Sequence, residues 1–119
     1  MTTTPLKQVT RSAVRKLQTS TDTITAGTTQ TQAGATALTA RINRVTVSAV
    51  NGDGVLLPTA EAGLEVLIIN DDSTQNIDIW PNTADTIDGE AANAVDPNNL
   101  AAGAARRYVA MNATDWYTA

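Results

Sequence analysis

The chain offers few residues that could do covalent chemistry. It has no histidine, which removes the usual general base and the commonest metal ligand. It has no cysteine, which removes thiolate chemistry and any disulfide framework. Its only lysines are Lys7 and Lys16, both near the N-terminus. Acid–base catalysis would therefore fall to carboxylates, with Asp71/Asp72, Asp85/Asp88 and Glu90 as the available groups. The competing reading is that Asp and Asn occupy turns, where their side chains bond to nearby backbone, and this reading is the better supported. Asp71, Ser73 and Gln75 alternate as oxygen ligands of calcium can, but the stretch has neither the glycine nor the distal bidentate glutamate of the twelve-residue loop. Trp80, Tyr108, Trp116 and Tyr117 are the whole aromatic complement and could stack on a glycan. The better supported reading is that they close the ends of a core that contains no phenylalanine, with their polar tips reaching water. The expectation is a protein that is not an enzyme and carries no cofactor and no metal.

What remains is charge and pattern. Residues 1–44 carry Lys7, Arg11, Arg15, Lys16, Arg41 and Arg44 against Asp22, a net of +5. Residues 45–119 carry Arg106 and Arg107 against eleven acids, a net of −9. With a sequence pI near 4.5, the chain is a poor match for phosphate binding, and no nucleic-acid partner is expected. No stretch reads as a membrane span or a signal peptide, so no membrane partner is expected and synthesis in a cytoplasm is.

The elements that position these groups divide at about residue 37. Residues 1–37 read as a basic, Thr-rich arm. Within it Leu6, Val9, Ala13, Val14 and Leu17 have helical spacing, and Lys7, Arg11 and Arg15 form a basic stripe beside them, so a helix is predicted over 5–18. Thr4 suits its N-cap and Pro5 its first turn. Residues 19–37 hold one large apolar residue, Ile24, and are predicted to be extended chain laid on a partner. Leu6, Lys7, Val9, Arg11, Val14, Arg15, Leu17 and Ile24 are thus the candidate partner-binding residues of the arm.

Residues 38–119 read as a β body of short strands. Val45, Val47 and Ala49 alternate with polar residues, Asn51-Gly52-Asp53-Gly54 makes a turn, and Pro58 and Pro81 stop the runs that precede them. Val66, Leu67, Ile68 and Ile69 are four consecutive apolar residues, so both faces of that strand are expected to be covered, one by the core and one by another subunit. These four, with Arg107, are the candidate oligomer interface. A body of this size with no disulfide gains most from oligomerisation. The fold class is all-β, an antiparallel sandwich or barrel preceded by an extended arm.

The order of motifs is similar to one found in small β modules of tailed-bacteriophage virion proteins. The residues concerned are Gly52-Asp53-Gly54-Val55-Leu56-Leu57-Pro58, Gly63 to Asn70, Ile77-Asp78-Ile79-Trp80-Pro81, Asp85-Thr86-Ile87-Asp88-Gly89, Leu100-Ala101-Ala102-Gly103 and Asp115-Trp116. This resembles the layout of capsid decoration (cement) proteins and of some head- and tail-fibre domains, over roughly residues 38–117. The resemblance implies a homotrimeric structural protein of the virion, on the outer surface of the capsid, with the major capsid protein as partner. The alternative it implies is a trimeric fibre module that binds a host receptor or glycan.

Overall fold

Proline and Asx-type turns set the strand lengths, and alternation sets which face of each strand is buried. The computed structural model describes residues 19–119. It contains β1 (Ser20–Thr25), β2 (Thr36–Ala37), β3 (Ile42–Val47), β4 (Asp53–Leu56), β5 (Glu65–Asn70), β6 (Ile77–Trp80), β7 (Thr86–Ile87), β8 (Ala105–Ala110) and β9 (Asp115–Thr118). No helix occurs among the described residues, and none there is long and apolar enough to cross a membrane. The helix expected over 5–18 lies outside the described residues.

The architecture is β-type, with two sheets. One has six strands in the order β1-β3-β5-β8-β9-β7, the other three in the order β2-β4-β6. The first six strands alternate between the sheets, so the chain winds from one to the other and back. β1, β3 and β5 are therefore parallel neighbours, as are β2, β4 and β6. Antiparallel pairing is confined to β5–β8 and β8–β9 among the strand pairs. This corrects the expected antiparallel arrangement. Asn51-Gly52-Asp53-Gly54, with Gly52 at φ 93°, is not a hairpin but the corner at which the chain crosses from β3 to β4 in the other sheet. A parallel pair needs a crossover of a dozen or more residues, and here the crossover is itself a strand of the second sheet.

One apolar cluster draws on both sheets. Val45, Val66, Ile68, Tyr108, Ala110 and Trp116 enter from the large sheet, and Val55, Ile77 and Ile79 from the small one. Both phases of β5 are apolar, so hydrophobicity alone leaves its register open. Its two ends decide it. In the observed phase Asn70 is buried and satisfied: its Nδ2 donates to the carbonyls of Gln75 (3.0 Å) and Leu100 (3.0 Å), and its Oδ1 accepts from the Asp72 amide (3.1 Å). A one-residue slip would put Glu65 into the core, which costs far more than either phase gains.

Residues 20–37, expected as an arm, supply β1 to the large sheet and β2 to the small one. Ile24 is a core residue, only 6% exposed, and Ala26 is buried beside it. The assignment of Ile24 to partner binding is corrected accordingly. The stretch closes tightly because two glycines let backbone meet backbone. Gly27 and Gly54 exchange hydrogen bonds of 2.8 and 3.0 Å, and a Cβ on Gly27 would stand 1.9 Å from the carbonyl oxygen of Gly34. Gln30 and Gln32 then tie the loop down through the carbonyls of Asn51 (3.2 Å) and Pro81 (2.8 Å). Gly27→Ala is expected to destabilise the protein by about 2–3 kcal/mol, the upper part of the range for overpacking. Urea denaturation checks it; an unchanged midpoint would mean that the loop yields freely and is not held by the body.

Candidate interaction surface

Hydrogen bonds and ion pairs give most of the chemically capable residues structural duties. Asp72, an acid considered for calcium or catalysis, accepts from the backbone amides of Gln75 (2.8 Å), Thr74 (3.1 Å) and Ser48 (3.1 Å). Those amides, Gln75 first, hold its carboxyl below the ordinary carboxylate range. Asp71 is bonded to Arg44, Asp85 accepts the Ala60 amide at 2.9 Å, and Asp88 holds the amide and hydroxyl of Thr118 at 2.9 and 2.8 Å. Among the described residues no cluster of three acids is arranged to hold a metal ion.

The aromatic residues divide. Tyr108 and Trp116 are fully buried. Tyr108 donates its hydroxyl proton to Asp96 at 2.6 Å rather than to water. The Nε1 groups of Trp80 and Trp116 are buried without a hydrogen-bond partner among the described residues. Only Tyr117, 43% exposed, offers a broad aromatic surface. Arg106 is half-buried: it approaches Asp96 at 3.2 Å and donates to the carbonyl of Asn98.

The remaining feature is the outer face of the six-stranded sheet. Side chains alternate across a strand, so the residues between the buried ones of β3, β5, β8 and β9 share that face. Register lines them up in rows. Ile42 stands opposite Leu67, which stands opposite Arg107. Arg44, Ile69 and Ala105 form a second row, and Glu65, Val109 and Tyr117 a third. Two shallow depressions share Leu67 and Arg107; Arg41, Ile42 and Glu65 complete one, and Ala105, Arg106, Thr118 and Ala119 the other.

Of the expected interface residues, Leu67, Ile69 and Arg107 lie on this face. Val66 and Ile68 do not: they are 1% and 0% exposed and pack into the chain's own core, which corrects their assignment to a subunit contact. Leu6, Lys7, Val9, Arg11, Val14, Arg15 and Leu17 lie outside the described residues. Ile42, Val109, Tyr117, Glu65 and Arg41 join the face without having been expected there. Alternation around Asn43 and Val45 would have found Ile42, but only once a strand is known to start there.

The charges on the face are mixed. Arg44 is held by Asp71 at 2.6 Å and by Asp22 at 3.2 Å, and these carboxylates, Asp71 first, keep its guanidinium even more firmly protonated than usual. Arg107 is barely engaged, with its Nε 4.0 Å from Glu65. Arg41, Arg44 and Arg107 are three of the four cations in the described residues, so this is the one described face where arginine gathers on an otherwise acidic body. It combines an apolar floor with paired and half-paired ions. Comparison of the chain with family models, with curated proteins and with solved structures returns no match.

Proposed function

We propose that this chain is a structural attachment protein, a capsid decoration or cement protein that binds and stabilises a phage head shell as a homotrimer. The observation that supports it best is the division of labour in the residues. Most of the body's acids hold turns and loops, its buried aromatics fill the core, and an apolar sheet face with mixed charge is left uncovered by the described residues. The segment that precedes the body repeats apolar and basic residues at helical spacing, which suits a groove on an acidic protein shell. In this reading the major capsid protein is the partner, and the knob sits on the outer surface of the capsid after synthesis in the host cytoplasm. The small β body projects as a sandwich-like knob, three copies together, and the three arms bind with high effective concentration once one has docked.

The test keeps the chain full length. Lys7→Glu, Arg11→Glu and Arg15→Glu together are expected to weaken co-sedimentation with capsids of the same virus by about 100-fold, as like charge replaces complementary charge. Unchanged co-sedimentation would refute the arm as anchor. The exposed Tyr117 beside Val109 favours one second reading, a trimeric fibre module that binds a receptor glycan. Glycan binding that disappears in Tyr117→Ala, with capsid binding absent from the unaltered protein, would replace the first reading with this one.

A further inference from the structure

The outer face of the six-stranded sheet presents an unusual problem for a parallel arrangement. β1, β3 and β5 are parallel neighbours, and parallel sheets are characteristically covered on both faces. Here the inner face packs on the core, while the outer face leaves Ile42 38% and Tyr117 43% exposed, with Leu67, Ile69 and Val109 half-buried between them. Three occupants are conceivable: the chain's own N-terminal segment, a foreign protein, or a second copy of the body.

Charge separates them. The N-terminal segment carries Lys7, Arg11, Arg15 and Lys16 without an acid, whereas the face carries Arg41, Arg44 and Arg107. Laying the first on the second sets four cations against Arg41 and Arg107, on a face where Asp22 and Asp71 are already held by Arg44 and Glu65 alone is left to meet them. A foreign acidic partner would match the arginines but would meet Glu65, Asp22 and Asp71 on the same face. A second copy brings both signs at the same spacing.

The pair Glu65 and Arg107 sharpens the point. Their closest approach within one chain is 4.0 Å, and their side chains remain 41% and 57% exposed. Arg41 lines the same depression and has no carboxylate within ion-pair distance among the described residues. One carboxylate thus stands between two under-used guanidinium groups, beside an apolar floor of Ile42 and Leu67.

We infer that this face is the contact between copies of the chain, gathered about the three-fold axis of the proposed trimer, with Glu65 of each copy meeting Arg41 and Arg107 of the next beside packed Leu67, Ile42 and Ile69. The inference rests on the reading of the body as an oligomeric knob and supplies its interface. It divides β5 by face: Val66 and Ile68 build the monomer, and Leu67 and Ile69 join monomers.

Sedimentation velocity of the full-length chain at micromolar concentration tests it. The unaltered protein is expected to be an oligomer and Leu67→Glu a monomer with unchanged circular dichroism, since a half-exposed site tolerates a carboxylate in the isolated subunit. Glu65→Arg is expected to weaken association by about 100-fold, and Glu65→Arg with Arg107→Glu to recover at least part of it. A monomeric unaltered protein, or an oligomer indifferent to both Leu67→Glu and Glu65→Arg, would overturn the inference. So would dissociation caused by Leu6→Ser, Val9→Ser and Leu17→Ser in the full chain, which would hand the face to the N-terminal segment. Capsid co-sedimentation of the same proteins keeps the two proposals apart: an intact oligomer that ignores capsids defeats the decoration reading and leaves this interface standing.

Discussion

Asp96→Ala is expected to cost about 3 kcal/mol of folding free energy, because it strands two partners at once. Asp96 is 2% exposed. Its Oδ2 accepts the Tyr108 hydroxyl at 2.6 Å and faces Arg106 at 3.2 Å, while its Oδ1 accepts the Asn98 amide at 2.9 Å. The Asp96 amide in turn donates to the carbonyl of Ile79 at 2.9 Å. One residue therefore clamps the 96–100 loop between β6 and β8, and Leu100 beyond it exchanges backbone hydrogen bonds with Ile77. With the carboxylate gone, a fully buried phenol lacks its acceptor, and that alone is worth about 1–3 kcal/mol. Arg106 loses its counter-ion, but its side chain is 22% exposed and water recovers part of the loss, which keeps the total near the lower end of the range for broken buried pairs. Asp96→Asn keeps an acceptor for Tyr108 and should cost less than half as much. Urea denaturation of both proteins decides it; a loss below about 1 kcal/mol for Asp96→Ala would mean that the clamp contributes little beyond its local turn.

The same site fixes the alkaline side of the pH profile. Burial, foremost, pushes the Tyr108 phenol far above its ordinary value. The folded chain then holds a proton that the unfolded chain releases near pH 10, so stability is intact below about pH 10 and declines as pH rises beyond it. The acid side has the opposite sign. Backbone amides of Gln75, Thr74 and Ser48 hold Asp72 low, and the side chains of Asn112 and Thr86 hold Asp115 low. Their contribution is present above about pH 4 and is lost as pH falls through their depressed values. Asp78 works against them: burial, then the charge of Asp96, raises its carboxyl, so its protonated form favours folding and this contribution fades as pH rises.

Much of the body was legible because its signals are local. Pro58 and Pro81 end runs that are indeed β4 and β6 with their extensions, and Ile77-Asp78-Ile79-Trp80 alternates in burial as it alternates in polarity. The strands at Glu65–Asn70, Ala105–Ala110 and Asp115–Thr118 stand where their apolar runs stand. Pairing was not legible. A polar turn such as Asn51 to Gly54 can return the chain as a hairpin or deliver it to another sheet, and nothing in those four residues distinguishes the outcomes. The chain's winding becomes visible only when β1 and β2 are counted, and they are the least apolar strands. Thr-rich chain around a single Ile24 carries no core signal; it buries only Ile24 and Ala26, and it is held in place because Gly27 meets Gly54 and Gly34 at backbone distance. The β5 face problem has the same origin. Four apolar residues in a row announce two covered faces but not which face the chain covers itself, and only the polar ends, Glu65 kept out and Asn70 satisfied inside, select it.

Trp116→Ala is the second large effect expected, about 3–5 kcal/mol, the range for removing a wholly buried aromatic side chain. Trp116 is 0% exposed and stands on β9, opposite Ala110 of β8 and Ile87 of β7. β7 is two residues long and pairs only with β9 among the described strands, so its place in the sheet depends on the neighbour that Trp116 fixes. The core has no phenylalanine, and Tyr108 and Trp116 are its largest members. Its register partners Ala110 and Ile87 are small or stiffly β-branched and collapse poorly into the space, which places the cost toward the upper half of the range. Trp116→Phe separates volume from polarity. The indole Nε1 is buried without a hydrogen-bond partner among the described residues, an arrangement that opposes folding by about 1–3 kcal/mol. Phenylalanine removes that penalty while it gives up part of the packing, so the two effects offset and the net change should stay within about 1 kcal/mol. Thermal and urea unfolding of the two variants read this directly. A Phe variant nearly as damaged as the Ala variant would show that the indole N–H is satisfied in solution, and the core would then owe its stability to that bond as well as to the ring.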